Sequence, residues 1–407
     1  MDLNAASSFD THRRDEQGKR EELSFDKAIE FLKSSLIYDM SLGSKELLHS
    51  NVWGFLMKND HDFIQVFYPS FLPSNYYDEK IEVSREWHHR DVAIWLPKKD
   101  GTKSFIVIEN KIKSVPNYGQ LEEYTESYSD WAFERGVLTG VDEKCALDFS
   151  SREKLKGRWD YLSYKTIAAR IRNIATKSTK KNIIDNLSAI KEYCDVLEAI
   201  DVCLSHYMLE SRGALKYDCG ELDKLRIADV YKKMKGSDFL GFVEKEKRFF
   251  DNVCPKGFKT LISQSFHNGK TTLDVRFKKD DDHICNIIGV QLEGNQFRVC
   301  VQCGIKDPEW TSKETYSEIL YNRFKDIWFD DSFEKKAANK MIFERRFKTS
   351  LSPRGNKKYD AYATDYYCFI YQYFDIDSSN DSYRVLLGLI KEFMSKAALV
   401  LQSKFQM

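Results

Sequence analysis

The stretch Phe105-Ile-Val-Ile-Glu109-Asn110-Lys111 constrains this chain more than any other. A short apolar run rich in β-branched residues reads as a buried strand. Here the run ends on two charged side chains, whose burial is costly unless they are paired. Strand side chains alternate faces, so Glu109 and Lys111 point one way while Ile108, Asn110 and Ile112 point the other. Eighteen residues ahead of Glu109, Asp91 opens a second apolar run that ends at Leu96. Pro97 to Lys103 (PKKDGTK) between them is rich in turn-forming residues and predicts a hairpin. Pairing the two strands brings Asp91 beside Glu109.

Two carboxylates and an ammonium in that arrangement suit metal-assisted hydrolysis of phosphodiesters. Hard cations such as Mg²⁺ take oxygen ligands, usually one or two carboxylates together with water and substrate phosphates. The cation lowers the pKa of a bound water and offsets charge developing at phosphorus. Lys111 is placed to position or deprotonate that water. Asn110 offers the metal only its backbone carbonyl, because its side chain points to the other face.

Further residues join this grouping. Gln120-Leu-Glu-Glu-Tyr124 lies on a predicted helix after Pro116, and Glu46 opens the helical segment KELLHSNVWGFLM. Glu46, His49, Ser50 and Trp53 share one helical face. Glu46 reads either as a group tuning the metal site or as a first-turn carboxylate favoured by the helix dipole. His49 reads as a structural hydrogen-bonding residue. His88 and His89 are expected on the Asp91 strand, on opposite faces, in structural or incidental roles.

Together these pieces resemble the PD-(D/E)XK nuclease superfamily. The closest likeness is to a bacterial branch with an E-x-x-HS helix ahead of the core, matched here by Glu46, His49 and Ser50. Asp91 stands at the family's aspartate, although Arg90 replaces the preceding proline. Glu109 and Lys111 match E-x-K, and Gln120 with Tyr124 match Q-x-x-x-Y. The likeness spans about residues 24 to 210. It implies an α/β fold with a restriction-endonuclease-like αβββαβ core, and Mg²⁺- or Mn²⁺-dependent cleavage of nucleic acid. DNA is the expected substrate and RNA the alternative. The implied catalytic set is Asp91, Glu109, Lys111, Gln120 and Glu46, with Asp91, Glu109, the Asn110 carbonyl and Glu46 at the metal and Gln120 steadying Lys111 or the water. A role in bacterial phage defence follows from the branch, with a homodimer or a defence-system protein as partner. The alternative is a binding component whose nuclease fold is idle or gated.

The chain has 407 residues, with 63 basic and 63 acidic, so any affinity for nucleic acid must come from a local basic surface. Two such surfaces stand out. Residues 152–181 hold ten basic residues against two acidic ones, and residues 335–358 hold nine against one. Lys113, Arg152, Lys154, Lys156, Arg158, Arg170, Arg172, Lys357 and Lys358 are the candidate phosphate contacts. The nine cysteines follow no framework spacing, and residues 1–23 are polar, a mobile tail with no leader character. Free thiols in a reducing cytoplasm are expected. No apolar run approaches bilayer-spanning length. Cys300 and Cys303 fall on opposite faces of a predicted strand, which argues against zinc.

A boundary is expected near Ser211. Beyond it, Asn268-Gly269 signals a hairpin, and alternating runs at 284–291, 297–303 and 359–376 predict an antiparallel sheet before a final amphipathic helix. Residues 211–407 thus read as an accessory α+β domain, suited to binding nucleic acid or a partner.

Overall fold

A computed structural model describes residues 23–43, 45–112, 118–141, 153–217, 219–267, 269–279, 287–304, 313–326, 328–329, 360–363, 367–375 and 382–405. The Lys113, Arg152, Lys357 and Lys358 contacts and the basic segment 335–358 lie outside the described residues, as do Ser44, by residue type a candidate N-cap for the Glu46 helix, and residues 1–22 of the expected tail.

The chain enters through helices. The helical spacing of Ala28, Phe31, Leu32 and Leu36 predicts one helix from Ser24 to Tyr38, broken by Gly43, but the structure has two, α1 (Phe25–Ser34) and α2 (Leu36–Gly43). The break falls at Ser35, which is extended at φ −83° and ψ 121°, and its hydroxyl accepts the Tyr38 N–H at 3.2 Å. An accepting serine hydroxyl satisfies a free N–H at a helix start, so Ser35 divides the segment before Gly43 is reached. α3 (Lys45–Asn59) follows and carries Glu46.

Five strands then form a mixed sheet in the order β1-β2-β3-β4-β5. β1 (Glu82–Trp87), β2 (Arg90–Pro97) and β3 (Lys103–Asn110) are an antiparallel meander. After α4 (Tyr118–Glu123), β4 (Ala132–Gly140) returns parallel to β3, and β5 (Trp159–Ser163) lies parallel to β4. This contains the αβββαβ order with one further strand. β1 fills the first strand of that order, to which no stretch of sequence was assigned. His88 and His89, expected along the Asp91 strand, instead form the two-residue turn between β1 and β2, with φ of 46° and 65°. Two consecutive positive φ values give the turn whose twist matches a tight hairpin.

The sheet is apolar on both faces. One face, with Val92, Ile94, Ile106 and Ile108, packs on α1, α3, α5 (Tyr164–Ala175) and α6 (Leu187–Glu210). The other, with Ala93, Trp95, Phe105 and Val107, packs on Leu121 and Tyr124 around α4 and on Trp159. Gly136 is required where β4 meets β5, since a Cβ there would fall inside the Trp159 indole.

The second sheet is antiparallel, in the order β10-β11-β9-β8-β7-β6. Its strands are β6 (Phe258–His267), β7 (Lys270–Lys279), β8 (Ile287–Glu293), β9 (Gln296–Gly304), β10 (Asp360–Ala363) and β11 (Tyr367–Asp375). Val275, Val290, Val299, Val301 and Ile370 pack into its core with the C-terminal helix, Tyr383–Phe405. Cys303 faces that core, while Cys300 on the other face bonds the Gly289 carbonyl at 3.3 Å.

The two cores do not part at Ser211. Leu222, Leu225, Ile227, Val230, Tyr231 and Met234 still pack into the first core. The helix α7 (Ala228–Glu244) carries Phe239, Leu240 and Val243 on into the second. One helix therefore serves both.

Candidate active site

The pairing of β2 with β3 ends at Val92 and Ile108. Beyond that pair, side chains take over the backbone donors. The Asp91 carboxylate accepts the Asn110 N–H at 2.6 Å, and the Glu109 carboxylate accepts the Asp91 N–H at 3.4 Å. Lys111 Nζ lies 2.7 Å from Glu109 Oε1. Asp91, Glu109 and Lys111, separated in sequence, are thus brought together at one end of the strand pair. Glu109 is 2 % exposed, and the Lys111 side chain 14 %.

The electrostatics are unbalanced in a way that matters. Burial pushes the Asp91 carboxyl up to about 7, and the Glu109 charge adds to the rise against the opposing Asn110 N–H and Lys111. Burial raises Glu109 as well, in spite of Lys111 beside it. Burial alone would lower Lys111, but the charges of Glu109, Glu46 and Asp91 outweigh it and hold the ammonium above its ordinary range. One ammonium does not neutralise the acidic groups, and the deficit is positive charge.

Asn110 fixes this end of the sheet from below. It is fully buried, and its side chain faces away from Glu109, as alternation requires. Its amide donates to the Glu46 carbonyl at 3.2 Å and accepts from Tyr164 Oη at 2.8 Å and Thr139 Oγ1 at 3.0 Å. Thr139 also takes the Lys111 N–H on its carbonyl at 3.0 Å. One side chain therefore ties β3 to α3, β4 and α5. Neither Thr139 nor Tyr164 was singled out from sequence. Tyr164 directly follows Ser163, which caps α5, and a polar residue at a strand-to-helix junction is the available signal.

The remaining expected groups are placed less directly. Glu46 acts on Asp91, Glu109 and Lys111 through its charge. Among the described residues, however, no three acidic, histidine or cysteine side chains converge tightly enough to ligate one ion. Of the expected metal set, Asp91 and Glu109 are the carboxylates that meet directly, and Glu46 reaches them through its charge. Gln120, expected to steady Lys111, donates to Tyr124 Oη at 2.6 Å, and Tyr124 donates to the His89 carbonyl at 2.6 Å. This chain pins α4 to the β1–β2 turn. Arg90 is buried between the Trp87 and Tyr124 rings, 4.6 and 4.7 Å from their centroids. His49 is buried against Tyr193, with Nδ1 2.9 Å from the hydroxyl, and burial pushes it down to about 3. It is a neutral core histidine at physiological pH.

The basic segment after β4 divides. Arg170 donates to the Val66 carbonyl at 2.7 Å, and Arg172 bridges Asp195 and Glu198 on α6. Both are committed inside the fold, which corrects their expected place on a phosphate-contacting surface. Arg158 bonds Thr125. Lys154 lies over the Tyr118 ring at 4.8 Å, and Lys156, whose side chain is 77 % exposed, pairs loosely with Glu153 at 3.8 Å.

A hairpin-borne D…ExK on a mixed αβββαβ sheet agrees with the comparison with known proteins. Residues 37–195 match the PD-(D/E)XK nuclease superfamily. No curated protein and no solved structure gives a match. The PD-(D/E)XK match covers α3, all five strands and most of the helical layer, and therefore every residue of the grouping just described. PD-(D/E)XK nucleases typically use divalent metals. The donor set fits such an ion: two hard carboxylates share a partly closed site whose one ammonium, Lys111, does not balance them. No helix among the described residues is long and apolar enough to cross a membrane.

Proposed function

We propose that this protein is a divalent-metal-dependent nuclease that hydrolyses phosphodiester bonds of DNA. The observation that carries the reading is the convergence of Asp91, Glu109 and Lys111, with both carboxyls driven up by burial. Asp91 and Glu109 would hold Mg²⁺ or Mn²⁺, with the Asn110 carbonyl as a third protein oxygen. When bound, the ion would supply a water of lowered pKa and offset charge at phosphorus.

The chain's own residues do the rest. Lys111, kept protonated by its acidic neighbours, donates to the attacking water or to a phosphate oxygen and screens the anionic substrate. Water attacks phosphorus in line and gives up a proton to solvent as the P–O3′ bond breaks; the 3′ oxygen leaves and is protonated to a hydroxyl, and the other fragment keeps a 5′-phosphate. Asn110 holds Lys111 and Glu109 in register by fixing the strand end. Gln120 acts through Tyr124, holding α4 against the turn that precedes Asp91. The helix carrying Glu46, His49 and Ser50 supports assignment to the E-x-x-HS branch, and with it a place in phage defence. Lys154 and Lys156 are the described lysines that best suit phosphate contact. The intact acidic pair and lysine favour an active site over an idle fold used only for binding.

Purified protein should cleave linear, supercoiled or single-stranded DNA with Mg²⁺ or Mn²⁺ and not with EDTA. Asp91→Ala, Glu109→Ala and Lys111→Ala should each lower the rate by about 10³-fold or more, in line with removing a group that meets charge in the transition state. A Lys111→Ala protein with undiminished metal-dependent cleavage would refute the assignment. Cleavage of RNA in preference to DNA would overturn the substrate.

A further inference from the structure

The end of β3 is held from outside the matched family segment. Lys233, on α7, is 2 % exposed, and its Nζ donates to the Lys111 carbonyl at 2.7 Å and approaches the Ile112 carbonyl at 3.5 Å. The same residue is gripped by the second sheet. Gln264 on β6 donates to the Lys233 carbonyl at 3.2 Å, and Thr271 on β7 donates to the Lys232 carbonyl at 2.7 Å. Gly236 permits this, because a Cβ there would run into Thr271. One residue thus has its backbone fastened to the antiparallel sheet and its side chain fastened to the backbone of Lys111.

We propose that Lys233 is a positioning residue for Lys111, so that the C-terminal sheet is a working part of the nuclease site. The inference rests on the nuclease reading for its kinetic consequence, but its geometric content stands apart from it. Beyond Asn110 the β3 chain has left the regular pairing, and the Lys111 N–H is held by Thr139. Lys233 secures the carbonyl of that same residue. A misplacement of about 1 Å in a catalytic group costs on the order of 10²-fold in rate. Removing the tether frees the lysine that must meet the substrate.

Lys235 supplies a built-in control. Two residues on a helix differ by about 200° in direction. Lys235 accordingly points elsewhere, and its Nζ donates to the Ser211 carbonyl at 2.6 Å. It is as deeply buried as Lys233 and lies on the same helix, yet it makes no contact with the β3 end among those described.

The test uses the full-length protein with Lys233→Met, Lys233→Arg and Lys235→Met. Lys233→Met should lower kcat at least tenfold, with KM within twofold, and should speed amide hydrogen exchange in the peptide covering 105–112. Lys233→Arg, which keeps a donor, should recover part of both. Lys235→Met should leave kcat and that peptide's exchange within twofold of wild type, whatever it does to the melting temperature. Unchanged exchange at 105–112 in Lys233→Met overturns the inference, as does an equal loss of kcat in Lys235→Met. If wild type cleaves nothing, the nuclease reading fails, while the exchange comparison still decides whether Lys233 holds this strand end.

Discussion

Asp91→Asn should make the metal-free protein more stable while making it inactive. The amide oxygen can still accept the Asn110 N–H that Asp91 accepts at 2.6 Å, so the substitution removes charge and little else. In the unfolded chain Asp91 titrates near 3.8, and in the folded protein burial and Glu109 push it to about 7. A carboxyl with a raised folded pKa retains its proton where the unfolded chain has lost it. Its contribution to stability is full at low pH, falls as pH rises above about 4, and reaches its full deficit above about 7. Each pH unit is worth about 1.4 kcal/mol, which sets a ceiling of about 4 kcal/mol at pH 8. Asp91 is partly exposed and shares its field with Glu109, so solvent screening reduces the expected gain to about 1–3 kcal/mol. At roughly 2–4 °C per kcal/mol for a cooperative unit of 150–250 residues, the melting temperature should rise by several degrees. Thermal melts in EDTA at pH 4.5 and pH 8 provide the assay, with the gain at pH 8 and little at pH 4.5. Added Mg²⁺ or Mn²⁺ should stabilise wild type at pH 8, by about 2.7 kcal/mol at a hundredfold excess over Kd, and leave Asp91→Asn unmoved. A destabilised Asp91→Asn at pH 8, or an equal gain at both pH values, would refute the charge-deficit reasoning.

Other substitutions separate scaffold from chemistry. Asn110→Ala strands the Glu46 carbonyl and the Tyr164 hydroxyl and leaves the Thr139 hydroxyl only its 3.5 Å contact with the Glu109 carbonyl, and should cost about 2–6 kcal/mol in denaturant melts, since each buried group left unpaired costs about 1–3 kcal/mol. It should also lower kcat. His49→Gln should give a pH–rate profile parallel to wild type between pH 5 and 8, because His49 is already neutral across that range. A missing limb near pH 6 in that profile would make His49 a titrating participant. Arg172→Met should lower stability but leave the salt dependence of DNA binding intact, whereas Lys154→Ala and Lys156→Ala should each flatten its log–log slope by about one. Fluorescence anisotropy across 50–300 mM salt reads that difference.

The strands were legible because their periodicity is local. Asp91–Leu96 and Phe105–Glu109 carry apolar runs whose alternation fixes which side chains share a face, and the register follows once a turn joins them. The second sheet was legible for the same reason, through Asn268-Gly269 and the alternation in β7 and β9. Helix boundaries were less so. Ser35 interrupts an otherwise periodic helix through a single hydroxyl contact, and nothing in the spacing of Ala28, Phe31, Leu32 and Leu36 announces it. His88-His89 lacks the glycine or asparagine that usually marks a turn of this type, so the β1–β2 hairpin left no signal in composition.

The site shows where sequence reading stops. Residue type and spacing gave Asp91, Glu109 and Lys111, because their chemistry is visible in the letters themselves. The destinations of Arg170, Arg172 and Lys233 are not. Arg170 and Arg172 sit in a segment that reads as a phosphate-contacting basic surface, and nothing in the sequence singles out Lys233, yet Arg170 and Lys233 satisfy backbone carbonyls and Arg172 two carboxylates on another helix. A buried cation is tolerated only where oxygens are aimed at it, and for these three the oxygens lie more than a hundred residues away or on a facing helix. That is a property of the fold and not of the local sequence. The same holds for the contacts that support the grouping, which reach beyond the family match. The match ends at 195, within α6. The carbonyl of its lysine is held by a helix that begins at Ala228 and is clamped by β6 and β7. If Lys233 positions Lys111, then the unit to be expressed, mutated and assayed is the whole chain, and a fragment ending near residue 210 should bind its metal more loosely and cut more slowly than the intact protein under identical conditions.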